Sequence, residues 1–179
     1  MDTEQLIADI RQKALDNDYY SGCAQAVLGA LQDNLGLGNA ASFKAATILS
    51  GGVARRGETC GAILGALMGL GLACGREKME DTPAYGAAMN EAQGTIEDFK
   101  ARLQAEFGFA EPLTSMLCRD IQSRVFGRSF NLADDDERAL FLKSGGHDSN
   151  RCPLVCAIAA ETAARRILML SGSTEGAGS

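Results

Sequence analysis

An all-α fold, a compact multi-helix bundle around a buried glycine-rich central helix, is what this sequence predicts, and three observations predict it. Apolar residues recur three and four apart almost from end to end, the period of a helix with one buried face. No segment reads as a convincing strand, and no internal repeat or low-complexity linker interrupts the pattern. The most apolar run, Thr59 to Cys74, is 16 residues long. That is short of the roughly 18–20 residues a membrane span requires, so it reads as a buried helix.

The first helix is expected over about Thr3 to Asp16, with Leu6, Ile7, Ile10 and Ala14 on one face and Thr3 as its cap. A second follows the break Tyr20-Ser21-Gly22, with Ser21 as the expected cap. It carries Cys23, Val27, Ala30 and Leu31 on one side and ends at Gly36 and Gly38. A third covers about Ala40 to Leu49, and the loop Ser50 to Gly57 comes next. The fourth, about Thr59 to Ala73, belongs to a row Gly57, Gly61, Gly65, Gly69. Each helical glycine costs about 0.5–1 kcal/mol relative to alanine, which makes sense where another backbone approaches closely.

The fifth helix starts at Thr82-Pro83, and its residues Tyr85, Met89, Ala92, Ile96, Phe99 and Leu103 form a short heptad seam. Such a seam calls for a long partner helix, in this chain or in a second copy. A sixth spans about Ser115 to Val125 with Cys118. The acidic run Asp134 to Glu137 reads as a helix start complementing the dipole rather than a calcium loop. Ser144 to Asn150 is a loop, and the last helix runs from Cys152 to about Leu170. Residues 1–170 are thus expected to form one domain, and 171–179 a disordered polar tail.

The net charge of −6 excludes nucleic acid as the natural partner, since phosphate recognition needs clustered Lys and Arg. The N-terminal stretch MDTEQLIADIRQKAL does not resemble a signal peptide, and a cytoplasmic location is expected. In a reducing compartment, six cysteines point to metal binding or thiol chemistry rather than to disulfides.

Their placement narrows this. Cys23, Cys60, Cys118 and Cys152 each fall at or near an expected helix start, where free N–H groups and the helix dipole favour a thiolate. Four such starts converging on one point would make a metal or cluster cage. Cys74 lies about 21 Å along the axis from Cys60 if the fourth helix is continuous, and so belongs elsewhere. Cys156 sits one turn beyond Cys152 on the same face and competes with it as a ligand. Four thiolates suit iron–sulfur chemistry and zinc equally. The absence of Cys-x-x-Cys and Cys-x-x-Cys-His motifs disfavours a thioredoxin-like pair and excludes c-type haem. His147 is read as a water-exposed loop histidine rather than a base for Cys152.

These segments resemble a known family. Gly22-Cys23-Ala24-Gln25-Ala26-Val27 and Cys60-Gly61-Ala62-Ile63-Leu64-Gly65 are similar to the first two signatures of the C_GCAxxG_C_C family, with Gly51-Gly52 and Leu70-Gly71-Leu72 fitting around them. Leu117-Cys118-Arg119-Asp120-Ile121 resembles its third cysteine segment, and Cys152 with the alanine-rich helix after it the fourth. The resemblance covers about Leu6 to Leu170. It implies a redox-active protein related to the split-Soret cytochromes c, whose similar helical domain is dimeric and carries an iron–sulfur centre beside haems. By that analogy Cys23, Cys60, Cys118 and Cys152 (or Cys156) would bind a cluster of the [2Fe–2S] type, without haem, in a homodimer that transfers or senses electrons together with a redox partner protein. The resemblance thus implies an electron-transfer protein more than a stand-alone enzyme. The alternatives are a zinc-stabilised interaction protein and a metal-free thiol oxidoreductase.

Overall fold

A computed structural model describes residues 2–175. Among them are eight α-helices: α1 (Thr3–Asn17), α2 (Cys23–Leu35), α3 (Ala40–Ala45), α4 (Gly61–Cys74), α5 (Thr82–Phe107), α6 (Cys118–Phe126), α7 (Asp135–Lys143) and α8 (Cys152–Glu175). Short 3-10 turns, Asp18–Tyr20 and Ala46–Leu49, follow α1 and α3. Sheet is absent among the described residues, and the sole extended pairing there is the bridge between Thr59 and Leu117.

Helix α8 is the hub. Ala157 to Ala160, Ala163 and Ala164 are fully buried, and α1, α2, α4 and α5 all pack against it. Small side chains on α8 let four neighbours come close. Helix α4 lies on α2 through its glycines. A Cβ added at Gly65 would run into the Ala24 carbonyl, and one added at Gly69 would meet Leu31 of α2. The close backbone approach expected of the glycine row is therefore real for Gly61 and Gly65, while Gly69 makes room for the Leu31 side chain. Gly57 is not part of it: it lies in the preceding loop with φ +72°.

The seam of α5 divides. Phe99 and Leu103 are fully buried, and Ala92 and Ile96 pack against the core. Tyr85 and Met89 stay exposed. The partner helix that the seam called for is α8 of the same chain.

Two cap assignments are corrected. Asp2, not Thr3, precedes α1, and Gly22 with φ +95° precedes α2, leaving the Ser21 hydroxyl for other use. Asp134 caps α7 by accepting from the Glu137 N–H at 2.9 Å, with Asp135 to Glu137 in the first turn. Helix α8 continues to Glu175, beyond the expected end at Leu170. The last four residues of the expected tail lie outside the described residues.

Candidate functional site

The loop before α4 supplies one wall of the site. Gly51, Gly52, Val53, Ala54 and Arg55 all have positive φ, between 51° and 71°, so the chain turns through five successive left-handed residues. Each non-glycine residue in that conformation costs about 1–2 kcal/mol. Hydrogen bonds from Val53 N–H to Leu49 C=O, Gly57 N–H to Gly51 C=O and Glu58 N–H to Gly52 C=O, each 2.9–3.1 Å, hold it. A side chain at Gly52 would collide with the Cys118 Cβ and the Glu58 backbone, both at 2.6 Å. Glycine there lets the turn press against the start of α6.

The backbone then joins two cysteines. Cys60 N–H donates to Met116 C=O at 2.8 Å, and Cys118 N–H donates to Glu58 C=O at 2.6 Å. These bonds, with the Thr59–Leu117 bridge, set the start of α4 beside the start of α6. Cys23, at the start of α2, comes over Gly61: a Cβ on that glycine would strike its sulfur. Cys152 and Cys156 reach the same place from the first turns of α8.

The result is one cavity of about 680 Å³ bordered by Cys23, Cys60, Cys118, Cys152 and Cys156. Cys74, at the far end of α4, does not border it. The charges of Asp18, Cys118, Cys60 and Cys23 all act on the Cys152 thiol, and the Cys156 thiol turns to Asp18, donating to its Oδ1 at 3.5 Å. Among the described residues, no three Cys, His, Asp or Glu side chains are gathered at metal-coordinating spacing. The donor set nonetheless fits a soft metal in kind and number.

The thiols are not the ready thiolates that helix starts predicted. Burial pushes the Cys60 thiol up from its ordinary 9.0 to about 12, and the neighbouring Cys23 adds to the shift. Burial likewise raises Cys23, Cys118, Cys152 and Cys156, with Asp18 or the other thiols reinforcing it. The N–H donors are present: Ala62 and Ile63 face the Cys60 sulfur, and Gly51 and Ala24 face that of Cys23. They pull the other way and are outweighed. The reason is dielectric, since one partial charge at a helix start does not replace the water a thiolate loses. Ser50 Oγ is buried without a hydrogen-bond partner of normal geometry, and its hydroxyl lies toward Cys23.

Asp18 was missed by sequence reasoning. It is 1% exposed, in the turn after α1, and its carboxylate takes the Cys156 thiol on one oxygen and His147 Nδ1 on the other at 3.0 Å. His147 is therefore no exposed loop histidine, and it pairs with Asp18 and Ser21 rather than with Cys152. The hydrogen bond to Asp18 raises its pKa above 6.5, against the effect of burial. Nothing in the local sequence distinguishes Asp18 from the exposed acids of α1.

Comparison with known proteins agrees with the geometry. The family described as "Putative redox-active protein (C_GCAxxG_C_C)" matches residues 21–166, a span that holds all six cysteines. No curated protein and no solved structure matches the chain. None of the described helices is long and apolar enough to cross a membrane.

Proposed function

The chain belongs to the C_GCAxxG_C_C family of redox-active proteins, and from that premise we propose that Cys23, Cys60, Cys118 and Cys152 hold an iron–sulfur cluster of the [2Fe–2S] type for electron transfer or redox sensing. One observation carries the reading: cysteines far apart in sequence, on four different helices, border a single cavity. Five thiols on one buried wall have little purpose as core filler, where alanine or valine would pack without a polar atom.

The cluster, when bound, supplies one-electron chemistry. The chain supplies the rest. The backbone pairing of Glu58 with Cys118 and of Cys60 with Met116 positions two ligands together. The N–H groups of Ala62, Ile63, Gly51 and Ala24 are donors to sulfur, a feature that tunes a cluster's potential. Cys152 is favoured as fourth ligand because the Cys156 thiol is already engaged by Asp18, to which it donates at 3.5 Å. The raised thiol pKa values argue against a metal-free oxidoreductase, whose attacking cysteine needs a depressed one. The homodimer expected by analogy remains part of this proposal.

Anaerobic purification followed by a visible spectrum and iron, sulfide and zinc analysis tests the reading. The expected result is a coloured protein with iron and sulfide in equal amounts. Cys60→Ser should lose the colour and the metal, and Cys74→Ser should keep both. A colourless protein loaded with zinc would replace the cluster by a structural metal, and a metal-free product would overturn both.

A further inference from the structure

We propose that Ser21, His147 and Asp18 form a serine acyl-transfer site at the mouth of the cysteine cavity, acting on a small carboxylic ester with an apolar acyl group. Ser21 Oγ lies 3.1 Å from His147 Nε2, and His147 Nδ1 lies 3.0 Å from Asp18 Oδ2. His147 comes 126 residues beyond Ser21 and 129 beyond Asp18 in sequence, and the three play graded roles by burial: Ser21 is exposed, the His147 side chain is 21% exposed and that of Asp18 2%. An imidazole between an accessible hydroxyl and a buried carboxylate is the arrangement that lets a serine act as nucleophile.

A second observation is independent of those distances. Ser21 has φ +66° and ψ 170°, a region nearly reserved for glycine, and leads directly into α2. Holding a serine there costs about 1–3 kcal/mol, and strain of this kind gathers at functional sites. A sharp, strained turn into a helix is also how nucleophilic serines are presented elsewhere. The N–H groups of Gly22 and Cys23 that follow have no backbone acceptor among the described residues and no side-chain cap. They are the donors available for a developing oxyanion. Tyr20, Ile48, Leu132, Phe141 and Leu142 line the same cavity as Ser21 and give it an apolar wall for an acyl group.

The reaction needs water alone as co-reactant. With its proton on Nδ1, donated to Asp18, His147 takes the hydroxyl proton at Nε2 while Ser21 Oγ bonds to the ester carbonyl carbon. The bond to the alcohol oxygen breaks, and the alcohol leaves with the proton from Nε2. Water then attacks the acyl-serine, gives its proton to Nε2, and the carboxylic acid departs as that proton returns to Ser21 Oγ. Ser21 and His147 are catalytic residues, and Asp18 is a positioning residue.

The test uses the full chain with a fluorophosphonate probe and with p-nitrophenyl butyrate. One phosphonyl adduct, mapped to the Ser21 peptide, is expected. Ser21→Ala and His147→Ala should each lower ester turnover by about 100-fold or more, and Asp18→Asn should lower kcat with KM unchanged. Because Ser21 is exposed, Ser21→Ala should keep the helical circular-dichroism spectrum, so this variant decides the matter even if the buried one unfolds. Ser21 left unmodified by the probe, or turnover that survives in Ser21→Ala, overturns the proposal. Ser21→Ala should load metal like the unaltered chain, so this inference and the metal reading fail separately.

Discussion

At the scale of single residues, glycine is used in two opposite ways within one helix. Gly65 faces the α2 backbone, and a Cβ there would overlap the Ala24 carbonyl oxygen. Gly71, six residues on, has nothing within 4 Å of such an atom and is exposed. Helix propensity alone says that either change to alanine stabilises by about 0.5–1 kcal/mol. Gly71→Ala should do so. Gly65→Ala should instead lower stability by about 1–3 kcal/mol, the range for forcing extra volume between packed elements. Urea unfolding of both variants checks this, and equal effects would mean that α2 and α4 yield to each other. The same contrast shows how far the site was legible. That Cys23, Cys60, Cys118 and Cys152 border one cavity was readable because helix starts and motif spacing mark them. Asp18 and the left-handed turn at Val53 to Arg55 were not, because burial and sign of φ come from contacts distant in sequence. Periodicity reports which face is apolar and is silent on which carboxylate ends up beneath it.

At the scale of helices, a carboxylate knits three elements together. Glu161 of α8 accepts from Arg11 of α1 at 2.6 Å, from Arg102 of α5 at 2.9 Å and from Arg165 one turn along at 3.0 Å. Its side chain is 10% exposed. Burial alone would raise its pKa, yet the hydrogen bonds from Arg165 and Arg11 outweigh that and hold it below the usual carboxylate range. A lowered pKa means that this stability is present above about pH 4.5 and is lost as pH falls through the folded value. Glu161→Gln leaves three guanidinium groups around a neutral amide and should cost about 2–4 kcal/mol at pH 7, near the low end for breaking a buried pair because the arginines stay partly hydrated. The loss should shrink in acid, where the unaltered chain has also given up its charge, and a gap that stayed constant down to pH 3 would contradict the account. Helix positions themselves were largely readable in the sequence, with boundaries within a few residues, because each helix carries its own period and breaker. The cap residues at Asp2 and Gly22 were less so, since a serine or threonine one position away looks equally able until His147 takes the Ser21 hydroxyl.

At the scale of the whole molecule, the cavity sets how stability answers to pH. Five thiols that border it have pKa values raised by burial, with Cys60 reaching about 12 from 9.0. A raised folded value means that the folded chain keeps protons the unfolded chain has released. Stability from these thiols is therefore complete below about pH 9 and falls as pH climbs through the folded values. Each thiol adds a slope of up to about 1.4 kcal/mol per pH unit. The metal-free chain should thus unfold at clearly lower urea concentration at pH 10.5 than at pH 8, and Cys60→Ala should reduce that difference. Lys and Tyr ionise in the same range in both proteins and cancel in the comparison. A cluster held as proposed reverses the dependence. Ligation needs thiolates, so loading releases protons and becomes more favourable as pH rises toward 9. The loaded form has no thiol protons left at its four ligands to lose in alkali. Unfolding it returns protons to the freed thiols below about pH 9, so its midpoint should rise from pH 8 toward 9 and then level off up to 10.5, while that of the metal-free form drops. Parallel declines in the two forms would mean that the thiols bordering the cavity are not where the metal binds.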